Sequence, residues 1–134
     1  DGRILVNLSG LSRFEIINEI DNSKLYREFE VKYQKFRNDL SVDNENSLSN
    51  THILVLFEKT KIFFKKFGLF LNWKELEKLP PTQQVNTLAM ISPISNEEKQ
   101  KLLETISSSD KVKVLTEIIE FYLHYNNSEN NTVQ

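Results

Sequence analysis

The chain has no cysteine, and only three glycines and two histidines among its 134 residues, and each shortage closes off a class of chemistry. Without cysteine there is no disulfide framework, no thiolate nucleophile and no cysteine zinc site, a pattern that suits a reducing compartment and sets a cytoplasmic expectation. Gly2, Gly10 and Gly68 are too scattered for a P-loop or a dinucleotide loop, both of which need closely spaced glycines so that backbone N–H groups can approach phosphate. His52 and His124 stand in no metal-ligand spacing. None of the serines lies in a G-x-S-x-G elbow. The expectation is therefore no catalytic, cofactor-binding or metal-binding residue. Also missing is any run of about 18 to 20 apolar residues, so no membrane span is expected. Nor does any segment carry an excess of positive charge. Residues 1–40 hold seven basic and seven acidic side chains, and the remainder hold ten and twelve, which leaves a net charge of −2. Phosphate-backbone binding normally demands a basic patch, so nucleic acid is a poor match.

What is present divides into an alternating part and a helical part. RILVNLS at 3–9 places Ile4, Val6 and Leu8 on one side and Leu5 and Asn7 on the other, the period-two pattern of a strand. After Gly10, residues 13–20 alternate again, and Asp21, Asn22 and Ser23 break them. From Tyr26 to Phe36, Phe29, Val31 and Tyr33 oppose Glu28, Glu30, Lys32 and Gln34. The expectation is a three-stranded antiparallel meander over residues 1–40. Residues 41–49, SVDNENSLS, are polar and short of anything to bury, and read as a linker.

A helical bundle is expected over 50–125. Its centre is NTHILVLFEKTKIFFKKF, in which Ile53, Phe57, Thr60, Phe64, Phe67 and Leu71 recur at steps of three and four and define a core stripe. Ser49 or Asn50 can cap this helix through a side-chain oxygen, and Gly68 can end it in the left-handed conformation. Val55 and Ile62 lie on its far face, so the helix is apolar on two sides and has room for a further neighbour. Asn72 with Glu75 caps a short helix from Trp73, and Pro81 opens a helix whose inward side is Val85, Leu88, Ala89 and Ser92. Ser95-x-x-Glu98 is a capping box that starts a helix with Leu102, Leu103 and Ile106 as its apolar face. Ser109 or Asp110 then caps a last helix whose stripe is Val112, Leu115, Ile118, Ile119 and Tyr122, and residues 126–134 read as a disordered tail.

Two stretches resemble a known family. DGRILVNLSGLSRFEI with LYREFEVKYQKF is similar to a strand pair of the Lon protease N-terminal (substrate-binding) domain family, with its central Gly and following Arg-Phe. LAMISPISNEEKQKLLETISSSDKVKVLTEII resembles that family's helical half, with Glu98, Lys99, Gln100, Leu102, Leu103 and Glu104 matching its signature in order. The resemblance implies an α+β fold: a partial antiparallel sheet, the remnant of a PUA-like pseudo-barrel, followed by a helical bundle. The family's leading strands and its glutamate-proline-arginine-tyrosine stretch are not found here, so a chain truncated at its N-terminal side is expected. The ATPase and Ser-Lys peptidase modules of the full protease are not in the sequence either, and the gap before the long helix suits the standalone, single-domain relatives.

The function so implied is a noncatalytic module that binds unfolded or partner polypeptides. An RNA-associated PUA-like fold and a purely structural interaction domain are the alternatives. The partner-binding residues expected from the sequence are Val55, Ile62, Phe70 and Trp73, and self-association through an open strand edge between residues 3 and 36 is expected besides. The lysines at 59, 61, 65 and 66 read as a solvated face, and Glu97 and Glu98 as first-turn carboxylates rather than an acid pair.

Overall fold

The computed structural model describes residues 2–40 and 48–129, the last four of them as backbone alone. The chain divides into two compact units, Asp1–Asn44 and Glu45–Gln134. The class is α+β, with a two-stranded antiparallel sheet followed by helices.

In the first unit, strand β1 (Glu15–Ile20) pairs antiparallel with β2 (Glu28–Lys32). The register runs from Glu15 opposite Lys32 to Ile20 opposite Glu28, with an irregularity between Ile16 and Asn18. That irregularity leaves Ile17 without an opposite residue and shifts the alternation of β1 midway, which is why Ile16 and Ile20 do not share a face. The turn between the strands is the one the Asp-Asn-Ser cluster predicts: the Lys24 N–H donates to Asn22 Oδ1 at 2.8 Å, and Arg27 forks onto Glu19 at 2.7 and 2.9 Å.

Two expectations fail in this unit. Residues 3–9 form no strand; they run without ladder bonds, and Ile4, Leu5, Val6 and Leu8 are between 67 and 101 % exposed. Alternation supplies side chains for two faces, but a strand exists only where another backbone offers its N–H and C=O groups, and among the described residues β1 and β2 pair only with each other. The third segment also ends sooner than predicted. Instead of extending to Phe36, β2 gives way to a 3-10 stretch, Gln34–Leu40, kinked at Phe36. The turn is set by the Phe36 N–H donating to the Tyr33 carbonyl at 3.0 Å, and it makes Phe36 the unit's one buried large apolar side chain among the described residues. Arg13 lies over the Phe36 ring at 4.4 Å, while its side chain donates to both oxygens of Asp39 at 2.8 and 2.7 Å and its backbone N–H to Oδ2 at 3.0 Å.

The second unit is built on helix α1 (Asn50–Lys66), with α2 (Trp73–Leu76), α3 (Pro81–Ile91), α4 (Asn96–Glu104) and α5 (Ser108–Glu129) around it. Gly68, at φ +66°, closes α1 in a Schellman arrangement: the Leu69 N–H reaches the Phe64 carbonyl and the Gly68 N–H reaches that of Lys65. Ser49 occupies the N-cap position, but its side chain makes no capping bond. The core combines Ile53, Leu56, Phe57, Phe63 and Phe64 of α1 with Leu76, Val85, Leu88, Ile94, Leu102 and the α5 residues Val112, Leu115, Ile118 and Ile119. Relative to the predicted stripe, α1 is rotated toward Leu56 and Phe63, which are fully buried, while Phe67 stays partly in water. Thr60 is buried at no polar cost, because its hydroxyl donates to the Leu56 carbonyl one turn back at 2.7 Å.

The caps of α2 and α4 fall where the residue chemistry puts them, and that of α5 is shifted. Asn72 Oδ1 accepts from the Glu75 N–H, and Ser95 and Glu98 exchange both bonds of the capping box. The cap of α5 is Ser107, not Ser109 or Asp110: its Oγ accepts from the Asp110 N–H at 3.0 Å. In α4 only Leu102 is buried; Leu103 and Ile106, expected inside, are exposed. The α5 backbone stays helical to Glu129, four residues into the stretch expected as a tail, and 130–134 lie outside the described residues, as do residues 41–47 of the expected linker. Among the described residues no helix is long and apolar enough to cross a membrane.

Candidate polypeptide-binding surface

Helix α1 positions most of what could grip another chain. Val55 and Ile62, seven residues or about two turns apart, are 43 % and 59 % exposed on its outer face, with Leu54 beside them. Trp73 is somewhere else. Its ring packs at 5.8 Å from both Phe57 and Phe64, each two residues, or about 200°, on from Val55 and Ile62, and so on the opposite side of the helix. With the Lys61 ammonium 5.6 Å from its ring, Trp73 fastens α2 to α1. Phe70, in the connection between α1 and α2, is fully exposed at 100 %. The four residues singled out from sequence are therefore not one patch: two share a stripe, one projects alone and one is packed into the bundle.

Sequence reasoning missed the longest run of rings. Phe63, inside the core, sits 4.8 Å from Phe67 and 5.8 Å from Tyr122; Phe67 in turn meets Tyr122 at 6.4 Å. Tyr122 abuts Phe121 at 5.9 Å, and Phe121 stacks on Tyr125 at 5.5 Å and 23°. The run leads from the core to the surface, where Phe121 and Tyr125 are each 58 % exposed. The signal was legible as an i, i+4 aromatic pair beside the core stripe of α5 rather than on it.

Two lysines beside these rings are engaged within the bundle. Lys66 Nζ donates to the backbone carbonyls of Leu123 at 3.0 Å and Tyr122 at 3.5 Å, and Lys59 pairs with Glu120.

Glu98 has a second task. Its Oε2 accepts the Ser95 N–H at 2.8 Å and also the Tyr122 hydroxyl at 2.8 Å, so one carboxylate caps α4 and ties it to α5. That hydrogen bond, then partial burial, then the negative charge of Glu98, raise the Tyr122 pKa above its ordinary value. Because the folded value lies above the unfolded one, about 10, the contribution to stability is complete below that pH and is lost as pH climbs through the folded value. In an alkaline absorbance titration of tyrosinate, Tyr122 is expected to ionise late, above the ordinary tyrosine range. Tyr122→Phe should abolish that late step, and the stability gap between wild type and variant should narrow as the pH is raised past 10.

Of the family-like signature, Glu98, Lys99 and Leu102 fasten α4 to the bundle, Gln100 and Glu104 bond within α4, and Leu103 is exposed. Besides Glu98, Lys99 Nζ donates to the Met90 carbonyl at 3.1 Å, Gln100 bonds Glu104 at 2.9 Å, and Leu102 is core. His52 and His124 are both exposed, and among the described residues no group of three or more His, Asp or Glu could hold a metal ion.

Comparison with known proteins agrees with this architecture. The family model for the substrate-binding domain of the ATP-dependent protease La (LON) matches residues 1–120. No curated protein and no solved structure matches the chain.

Proposed function

The chain belongs to the LON substrate-binding domain family, and from that premise we propose that it is a noncatalytic module whose helical unit holds segments of other polypeptides. The observation that carries this reading is the exposure of Phe70, Phe121 and Tyr125, with Leu54, Val55 and Ile62 along α1. Exposed large apolar side chains are what an extended, unfolded segment can bury against, and aromatic residues dominate the energetics of such contacts. The family is a substrate-binding one, and the exposed rings favour clients rich in apolar and aromatic residues. Val55, Ile62 and Phe70 contribute directly; Trp73 supports by holding α2 in place. We place the module in the cytoplasm, a setting that suits a cysteine-free chain.

The test is a fluorescence-anisotropy titration with a labelled, permanently unfolded test protein, followed by substitution. Binding in the micromolar range is expected, weakened about thirtyfold by Phe121→Ala with Tyr125→Ala, since each anchoring ring is worth about 1 kcal/mol or more. Phe70→Ala and Ile62→Lys should each weaken it several-fold, while far-ultraviolet circular dichroism stays that of the wild type. No association at high micromolar concentration, or binding indifferent to all of these changes, would sink the proposal.

A further inference from the structure

Two arginines of the first unit each sit between a carboxylate and an aromatic ring. Arg27 forks onto Glu19 at 2.7 and 2.9 Å and lies over the Phe29 ring at 4.9 Å. Arg13 grips Asp39 through Nε and Nη2 at 2.8 and 2.7 Å and lies over the Phe36 ring at 4.4 Å. The grouping is favourable because a guanidinium is planar: its edge donates to the carboxylate while its face rests on the ring.

Helix α5 carries the carboxylate and the ring without the cation. Glu117, Phe121 and Tyr125 recur at steps of four and are all exposed, so they stand in one row along the outer side of the helix. The rings of Phe121 and Tyr125 stack at 5.5 Å and 23°, a separation close to the helix pitch of about 5.4 Å. They are therefore piled along the helix axis, and the face of Phe121 that Tyr125 leaves uncovered turns toward the preceding turn, where Glu117 stands. Among the described residues nothing bonds or pairs with the Glu117 carboxylate, and no cation lies over Phe121 or Tyr125. The neighbouring lysines are committed elsewhere: Lys113 to Asp110 at 3.4 Å, Lys59 to Glu120, and Lys66 to the carbonyls of Tyr122 and Leu123. Residues 126–134, which follow Tyr125, contain no lysine or arginine and cannot supply the cation. Both rings keep 58 % of their surface in water, so the place beside them is open to another chain.

We infer that the row Glu117, Phe121 and Tyr125 takes an arginine side chain of the bound polypeptide, with the guanidinium stacked on Phe121 and paired with the Glu117 carboxylate. The inference rests on the reading of this surface as a polypeptide-binding one and names the feature it selects: an arginine set among apolar residues. Lysine is the poorer fit, because a compact ammonium cannot offer a flat face and a fork of donors at once.

The test is a titration of the full chain with a short, fluorescently labelled unfolded peptide whose central residue, flanked by phenylalanine and leucine, is arginine, citrulline, lysine or glutamate. Citrulline keeps the shape of arginine and removes its charge. The arginine peptide is expected to bind about tenfold more tightly than the citrulline one, with lysine between them and glutamate weakest. Glu117→Gln, an exposed change that should leave the circular dichroism unaltered, is expected to weaken the arginine peptide about threefold and the citrulline peptide not at all. Added salt should erode only the advantage of the arginine peptide. Equal binding of the arginine and citrulline peptides, or an equal response of both to Glu117→Gln, would overturn the inference and leave the polypeptide-binding reading standing. Failure of every version to bind at high micromolar concentration would remove both.

Discussion

Phe63→Ala is expected to lower the unfolding free energy of the helical unit by about 3 to 5 kcal/mol, the usual cost of emptying a fully buried phenylalanine site. Phe63 is the largest of the fully buried side chains, and the rings of Phe64, Phe67 and Tyr122 surround it. Its removal costs the transfer free energy of the ring, the contacts with those neighbours, and the cavity that remains, because α1 and α5 are also tied by Lys59 with Glu120 and by Lys66 with the α5 carbonyls and cannot close freely over the gap. Total stabilities of domains this size are about 5 to 15 kcal/mol, so the variant should be only marginally folded. At roughly 4 to 8 °C per kcal/mol for a unit of this length, its melting temperature should fall by well over 10 °C. Urea or thermal unfolding followed by circular dichroism at 222 nm checks this. Phe121→Ala, on the same run of rings but at the surface, is the contrast: its midpoint should move by a degree or two. Equal effects from the two substitutions would mean that the core does not sit where the helices place it.

Asp39→Ala should act on the other unit and leave the helices alone. Asp39 accepts two bonds from the Arg13 side chain and one from its backbone N–H, and the pair is largely shielded, at 21 % and 18 % exposure. Bonds to a charged group contribute about 1.5 to 3 kcal/mol when partly buried. A surface ion pair would be worth far less. In a unit whose only buried large apolar side chain among the described residues is Phe36, lying under the same arginine, a loss of about 2 to 3 kcal/mol is enough to dissolve the 3-10 stretch and loosen β1 and β2. Hydrogen exchange read by mass spectrometry should show residues 28–40 losing protection while residues 53–64 and 112–119 keep theirs. Asp39→Glu, which restores the charge with a longer reach, should recover part of it. Full protection of 28–40 in the alanine variant would show that the arginine fork is incidental to the fold.

How much of this was readable in advance depended on how local the cause was. The helices were legible because each carries its own instructions: the three-four rhythm of α1 and α5, Gly68 after the last turn of α1, Asn72 three residues before Glu75, Pro81 at a helix start and the Ser95–Glu98 box all act within a few residues of themselves. Where two nearby residues could do the same job, reading from sequence chose less well. Three serines and an aspartate precede the stripe of α5, and it is Ser107, whose Oγ reaches the Asp110 N–H, that caps it. The apolar face of α4 was read too broadly for a related reason: Leu103 and Ile106 fit the period, but a nine-residue helix at the margin of a bundle has only Leu102 on the line that meets its neighbours.

The candidate surface was legible in half. Val55, Ile62 and Phe70 were singled out by lying off the core stripe or beyond a helix end, and they are exposed. Trp73 was grouped with them because of its residue type, yet its ring is wedged against Phe57 and Phe64. Phe121 and Tyr125 escaped notice because their significance lies in stacking on each other and, through Tyr122, on Phe67 of a different helix. The i, i+4 spacing of the pair is visible within α5, but no periodicity there expresses the contact of its neighbour Tyr122 with Phe67.

Sequence alone determined the helices of this protein, the caps of α2 and α4, the end of α1, the hairpin turn and the family, because propensity, capping and amphipathic period are properties of a few consecutive residues. Tertiary structure alone decided which alternating segment is a strand, where Phe36 turns inward, how far α1 is rotated toward Leu56 and Phe63, and which aromatic rings reach the surface. A strand needs the backbone of a second segment and a buried ring needs neighbours on several sides, and both depend on groups far away along the chain.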